Sequence, residues 1–194
     1  MKKSNLILVF LIVALAISCK KETVNTETDN PNITHRVINK ELISKAEFSN
    51  DYIEIDIDNN GVNDFVLEMY IQKFSESVRL LGATANNVSL GTSSGSEDPF
   101  IVNNLSKNTV INASSITYSQ LSYLAAYNSL FAPIIEDYGY AGKGDVLVGF
   151  QFEKDGQKHY GWLLASVSAS RKYAIVKEVA YDIRPNMEIK AGEK

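Results

Sequence analysis

Apolar and polar residues alternate with a period of two through much of this chain. The clearest case is 53–71, where Ile53, Ile55 and Ile57 alternate with Glu54, Asp56 and Asp58, and Phe65, Leu67, Met69 and Ile71 alternate with Val66, Glu68 and Tyr70. Alternation of this kind puts one set of side chains on each face of a strand, so the two arms predict half-buried strands joined as a hairpin. The last third repeats the theme. Val146, Val148, Phe150 and Phe152 mark one strand, Asp155-Gly156 centres a hairpin turn, and 159–167 returns. After a turn at 169–172, Tyr173, Ile175, Lys177, Val179, Tyr181 and Ile183 are expected on one face of a third strand, completing an antiparallel meander.

Between these runs the pattern is fainter. Short strand pieces are predicted at 78–81, 87–90, 100–105 and 109–111, with a Ser- and Gly-rich loop at 91–99 and a first strand, then a turn or short helix, within 35–48. Leu121, Leu124, Tyr127, Leu130, Phe131 and Ile134 recur at three- and four-residue intervals, which predicts an amphipathic helix over 119–131, capped by Ser119 and ended by Pro133. Tyr118, Tyr123, Tyr127, Tyr138 and Tyr140 offer sugar-stacking faces, but tyrosines at this spacing are expected to pack against a sheet. The expected fold is mainly β, a single antiparallel β-sandwich or jelly-roll-like domain with one short helix.

The first residues set an address. Lys2 and Lys3 precede an apolar run over 6–17 that is too short to span a bilayer and has the length of a signal-peptide core, and it ends at Ala16-Ile17-Ser18-Cys19. This ending resembles the lipobox of bacterial lipoproteins. The resemblance implies cleavage after residue 18, diacylglycerol on Cys19, and attachment to the membrane through lipid, with the outer membrane favoured because Lys20 stands where an inner-membrane retention signal would place Asp. Residues 20–34 are rich in Thr, Asn and charge and are expected to form a flexible tether that follows the lipidated Cys19, leaving 35–194 as the folded domain. Cys19 is the only cysteine, so the domain has no disulfide.

The chain carries 19 Lys and Arg against 23 Asp and Glu. Loss of Lys2 and Lys3 with the leader lowers the formal charge to about -6. No basic patch is present, which excludes nucleic acid as an expected partner.

Between the arms of the first hairpin, Asp56, Asp58, Asn60 and Asp64 fall at positions 1, 3, 5 and 9 of a loop, with Gly61 at position 6 and the Val62 carbonyl at position 7. Calcium takes six to eight oxygen ligands, and this spacing curls several around one point. Position 12 is Leu67, so an EF-hand is excluded. The loop resembles the D-x-D-x-D-G-x-x-D loops of thrombospondin type 3 repeats and integrin-like propeller blades, with Asn60 replacing an aspartate, which implies one weakly held structural Ca2+. The alternative is a metal-free turn in which the aspartates cap local amides.

His159-Tyr160-Gly161-Trp162, then Val179-Ala180-Tyr181, Pro185, Ile189 and Ala191-Gly192, together with the Asp56 to Phe65 loop, resemble a group of exported bacterial proteins that often carry PEP-CTERM sorting tails. The resemblance implies export and the β fold and says nothing of activity, and the sequence departs from the group in having a lipobox and no Pro-Glu-Pro tail. Catalytic machinery is sparse. His35 and His159 are the only histidines, no G-x-S-x-G elbow or Walker loop occurs, and no zinc spacing is present. The function expected is a non-enzymatic envelope module for a glycan or surface protein. The alternatives are a jelly-roll carbohydrate-active enzyme using a carboxylate pair drawn from Glu136, Asp137, Glu153, Glu178 and Asp182, and a purely structural envelope protein.

Overall fold

A computed structural model describes residues 30–92, 101–128 and 136–194. The leader, Cys19, most of the tether, most of the 91–99 loop, and Leu130, Phe131, Pro133 and Ile134 lie outside the described residues.

Described strands run in the order β1 (Ile33–Ile43), β2 (Ser49–Ile55), β3 (Phe65–Gln72) and β4 (Ser75–Gly82), then a 3-10 turn at Thr84–Asn86 and β5 (Ser89–Thr92). There follow β6 (Val110–Ile111), β7 (Thr117–Ser119), β8 (Leu121–Asn128), β9 (Glu136–Gly139), β10 (Asp145–Lys154), β11 (Gln157–Val167), β12 (Tyr173–Asp182) and β13 (Ile189–Lys190). They form a six-stranded sheet in the order β1-β12-β11-β10-β5-β7, a five-stranded sheet β2-β3-β4-β8-β9, and a two-stranded ribbon of β6 and β13. Pairing within all three is antiparallel.

The two large sheets face one another as a sandwich. Phe65, Leu67, Met69, Val78 and Leu80 from the five-stranded sheet share one core with Val146, Val148, Phe150, Leu163 and Val176 from the six-stranded sheet. Phe65 meets Phe150 edge to face across the sheets, centroids 5.2 Å apart. The period-two residues of the sequence are the ones buried here, because alternation turns every second side chain inward.

A second, smaller core lies on the outer face of the six-stranded sheet, where Tyr160, Trp162 and Ala180 pack with Leu105, Ile111, Ile116, Ile189 and Ala191. The ribbon therefore covers β11, and the run Tyr160-Gly161-Trp162-Leu163 is buried on both faces. Trp162 Nε1 donates to the Glu193 carbonyl at 2.9 Å, and the Asn30 amide donates to the Lys194 carbonyl at 2.9 Å, so the two ends of the described chain are tied together.

Three expectations change. The helix expected over 119–131 is not formed within the described residues: 117–119 and 121–128 are β7 and β8. Val78 pairs with Ala125 and Arg79 with Tyr123, which leaves Leu124 as an extra residue. A bulge of this kind slips the two-residue period by one, so Leu124 and Ala125 are both fully buried and the apolar spacing imitates a helix. Strand β12 likewise has an irregularity, with Leu164 opposite Glu178 and Ala165 opposite Val176. Ala174 and Val176 face the main core before it and Val179 and Tyr181 after it, so Tyr173 and Ile175 do not share a face with Val179 and Tyr181. Finally, β1 takes in Ile33 and Thr34, the last residues of the expected tether.

Candidate metal centre

The loop at 56–64 is set by its neighbours. Ile55 pairs with Phe65 at the end of the hairpin, and the Asp64 amide donates back to the Ile55 carbonyl at 2.9 Å. Ile57 is fully buried and anchors the loop in the core, and its amide donates to Asp64 Oδ2 at 2.8 Å. Arg36 of β1 reaches across, its Nη1 donating to the carbonyls of Asp56 at 3.0 Å and Ile57 at 2.9 Å. Asn59 at φ 60° and Gly61 at φ 86° provide the reversal, the left-handed geometry that glycine adopts without strain.

This curl brings Asp56, Asp58 and Asp64 together. Each offers a carboxylate oxygen, and the three lie within 4.8 Å of one another, a grouping that could hold a metal ion. Asp56 also organises the turn: its Oδ1 accepts from the amides of Asn59 at 2.6 Å and Asn60 at 3.3 Å, and its Oδ2 from Gly61 at 2.8 Å. Asp58 Oδ1 accepts from the Asn60 amide at 3.2 Å, and Asn60 Oδ1 accepts from the Val62 amide at 2.7 Å. Amide capping by the aspartates thus coexists with carboxylate convergence, since a carboxylate has about four lone-pair sites to share.

Three carboxylates this close repel one another in the absence of a cation. Lys154, at the end of β10, brings an opposing charge to one of them: its Nζ lies 2.8 Å from Asp58 Oδ2, and the Asp58 side chain is only 1% exposed. The hydrogen bond to Asp58 raises the Lys154 pKa above its ordinary value, against the smaller opposing effect of burial. Neither Arg36 nor Lys154 is visible in the loop's own spacing. Both arrive through strand packing, and the only sequence signal for Lys154 is its place beside the Asp155-Gly156 turn.

The other residues weighed for chemistry are dispersed. His159 is buried, its Nδ1 2.9 Å from the Asp182 carbonyl and its ring against Phe152. His35 Nε2 pairs with Glu178 Oε2 at 2.9 Å, and its ring stacks on Trp162. Glu178 also meets Lys194, Asp182 is held by Arg184, and Asp137 pairs with Arg171. Glu153 Oε2 accepts from Asn87 Nδ2 at 2.8 Å; the Glu136 side chain lies outside the described residues. An open cleft between β1 and β2 contains Glu41 and Asp51. There a Ser49 hydroxyl and the Lys45 amide hold the Asp51 carboxyl below its ordinary value, which suits a fixed anion and not a proton donor.

What fold and loop define together is an antiparallel β-sandwich carrying an acidic hairpin that could hold a metal ion. Comparison with protein-family models, with curated proteins and with solved structures gives no match.

Proposed function

We propose that this protein is a lipid-anchored envelope lipoprotein whose β-sandwich carries one structural Ca2+ in the 56–64 loop. It serves as a non-enzymatic binding module for a glycan or surface protein. The observation that carries the reading is the convergence of Asp56, Asp58 and Asp64 within 4.8 Å in a loop anchored by a buried isoleucine. An all-oxygen donor set is hard, and hard donors select Ca2+ or Mg2+ over zinc or copper. Calcium is favoured because the donors expected from the spacing, the three carboxylates with the Asn60 amide oxygen and the Val62 carbonyl, lie on an irregular loop, whereas Mg2+ demands a near-ideal octahedron. Few carboxylates give weak affinity, in the range of about 0.1 to 1 mM seen for extracellular modules.

The anchor rests on the residues around Cys19, which receives the lipid in this reading. Glycan or protein binding rests on the fold alone, since sandwich domains host many functions. Calorimetric titration of Ca2+ into the chain is expected to give one site, lost in Asp58→Ala and not filled by Mg2+ at equal concentration. A titration without heat and without competition by a calcium indicator dye removes the metal from the proposal. For the anchor, cells fed labelled palmitate should incorporate it into the wild-type chain and not into Cys19→Ser; equal labelling of both sinks that part.

A further inference from the structure

The five-stranded sheet turns an unusual face outward. Strand register places its outward side chains in rows that cross the sheet. One row reads Tyr52, Glu68, Arg79, Tyr123, each residue paired directly with the next. The row on one side reads Glu54, Val66, Leu81, Leu121, and the row on the other reads Asn50, Tyr70, Ser77, Ala126. A sheet face turned to water ordinarily reads polar, yet these rows carry Val66, Leu81, Leu121 and Ala126. These rows hold three tyrosines and no lysine, in a chain with 19 Lys and Arg. Tyrosine and arginine enrichment with lysine depletion is the composition of a protein interface. The ribbon of β6 and β13 covers the other large sheet, and no strand among the described residues lies over this one.

We infer that this face binds a second copy of the same chain across a two-fold axis. The central row is charge-palindromic. At its middle Glu68 pairs with Arg79 at 2.8 Å, side chains only 12% and 24% exposed, and Tyr70 lies against the guanidinium at 5.7 Å. A two-fold axis running along the strands between β3 and β4 sets β3 over the partner's β4 and β2 over the partner's β8. Glu68 then faces the second copy's Arg79, and Arg79 its Glu68, while Tyr52 and Tyr123 meet at either end. In the adjacent row the bulky Tyr70 faces the small Ser77, itself sunk between its neighbours and only 7% exposed, and the reverse, so large meets small in both copies. Such self-complementarity, residue i on j and j on i, is what an isologous dimer requires. Twist between packed sheets rotates the outer rows by about 30° and leaves the centre on the axis.

Size sets the strength. The four strands that this axis overlaps, spaced about 4.8 Å and about seven residues long at about 3.3 Å each, present about 440 Å² per copy, or about 900 Å² in all, the size of a weak interface. Micromolar association is the scale to expect.

Sedimentation of the full chain in a non-ionic detergent tests this with two charge reversals. Wild type should be dimeric at about 50 µM, a concentration above micromolar dissociation constants. Glu68→Arg and Arg79→Glu should each be monomeric, because like charges then face one another. Mixing the two variants should restore a dimer. The arginine introduced in one copy then meets the glutamate introduced in the other, while neither chain regains its own ion pair. A monomeric wild type, dimeric single variants, or a mixture that stays monomeric overturns the inference. Tyr52 is 63% exposed, so Tyr52→Lys leaves the fold intact. It should weaken the dimer by about tenfold, the scale of placing a charge in an interface, and an unchanged dimer in this variant also counts against the inference.

Discussion

At the residue scale, the Tyr-Gly-Trp run has a packing cause. A Cβ on Gly161 would lie 2.3 Å from Phe150 Cζ and 2.4 Å from the Ala180 carbonyl oxygen. Gly161 pairs directly with Phe150, so the ring lies over the gap that glycine leaves. Gly161→Ala should destabilise the chain by about 3 kcal/mol, the upper range for overpacking a filled core; an unchanged urea midpoint contradicts that packing. Arg171 works the other way, by joining elements. It is buried at φ 54°, pairs with Glu76 of β4 and Asp137 of β9, and lies over Tyr127 at 5.3 Å. The aspartates of the 56–64 loop were legible in sequence because their spacing is local. Lys154, Arg36 and Arg171 were not, because each acts on residues brought near only by the sheets.

Elements carry a different lesson. The hairpins of β2 with β3 and β10 with β11 follow directly from period-two alternation and an Asp155-Gly156 turn at φ 52° and 71°. Strand β8 does not, since its bulge at Leu124 breaks the period and leaves two adjacent buried residues. The ribbon of β6 and β13 was faint as well, because two-residue strands carry no period at all. Its role is nonetheless large, as it closes the second core over Trp162. Ending the chain at Asn186 removes Ile189, Ala191 and the Glu193 carbonyl that accepts from the indole. That truncation should cost about 3 to 5 kcal/mol, the scale of losing a buried aliphatic side chain with its neighbours. Trp162 fluorescence should shift to the red, and emission identical to the full chain would place the tryptophan's shelter elsewhere.

Over the whole molecule, the two ends of the described chain are joined by Asn30 to Lys194 and by Lys194 and His35 to Glu178. Burial pushes the Glu178 carboxyl up, but hydrogen bonds from Lys194 and His35 outweigh it and hold the group below its ordinary value of 4.5. A depressed folded pKa gives stability that is present above the unfolded value and lost as pH falls through the folded one. The difference in melting temperature between wild type and Glu178→Gln should therefore be largest near neutral pH and shrink below about pH 4.5. A gap that does not change with pH would show that Glu178 acts by packing.

A metal in the 56–64 loop should couple to folding, which thermal unfolding of residues 20–194 with millimolar Ca2+ and with chelator reads out for wild type and Asp58→Ala. A ligand that binds only the folded state at a hundredfold excess over its dissociation constant adds about 2.7 kcal/mol. A calcium-dependent rise in melting temperature that Asp58→Ala abolishes is the expected result. Superimposable wild-type curves with and without Ca2+ would contradict it, leaving the Lys154 pairing with Asp58 in place of a bound metal.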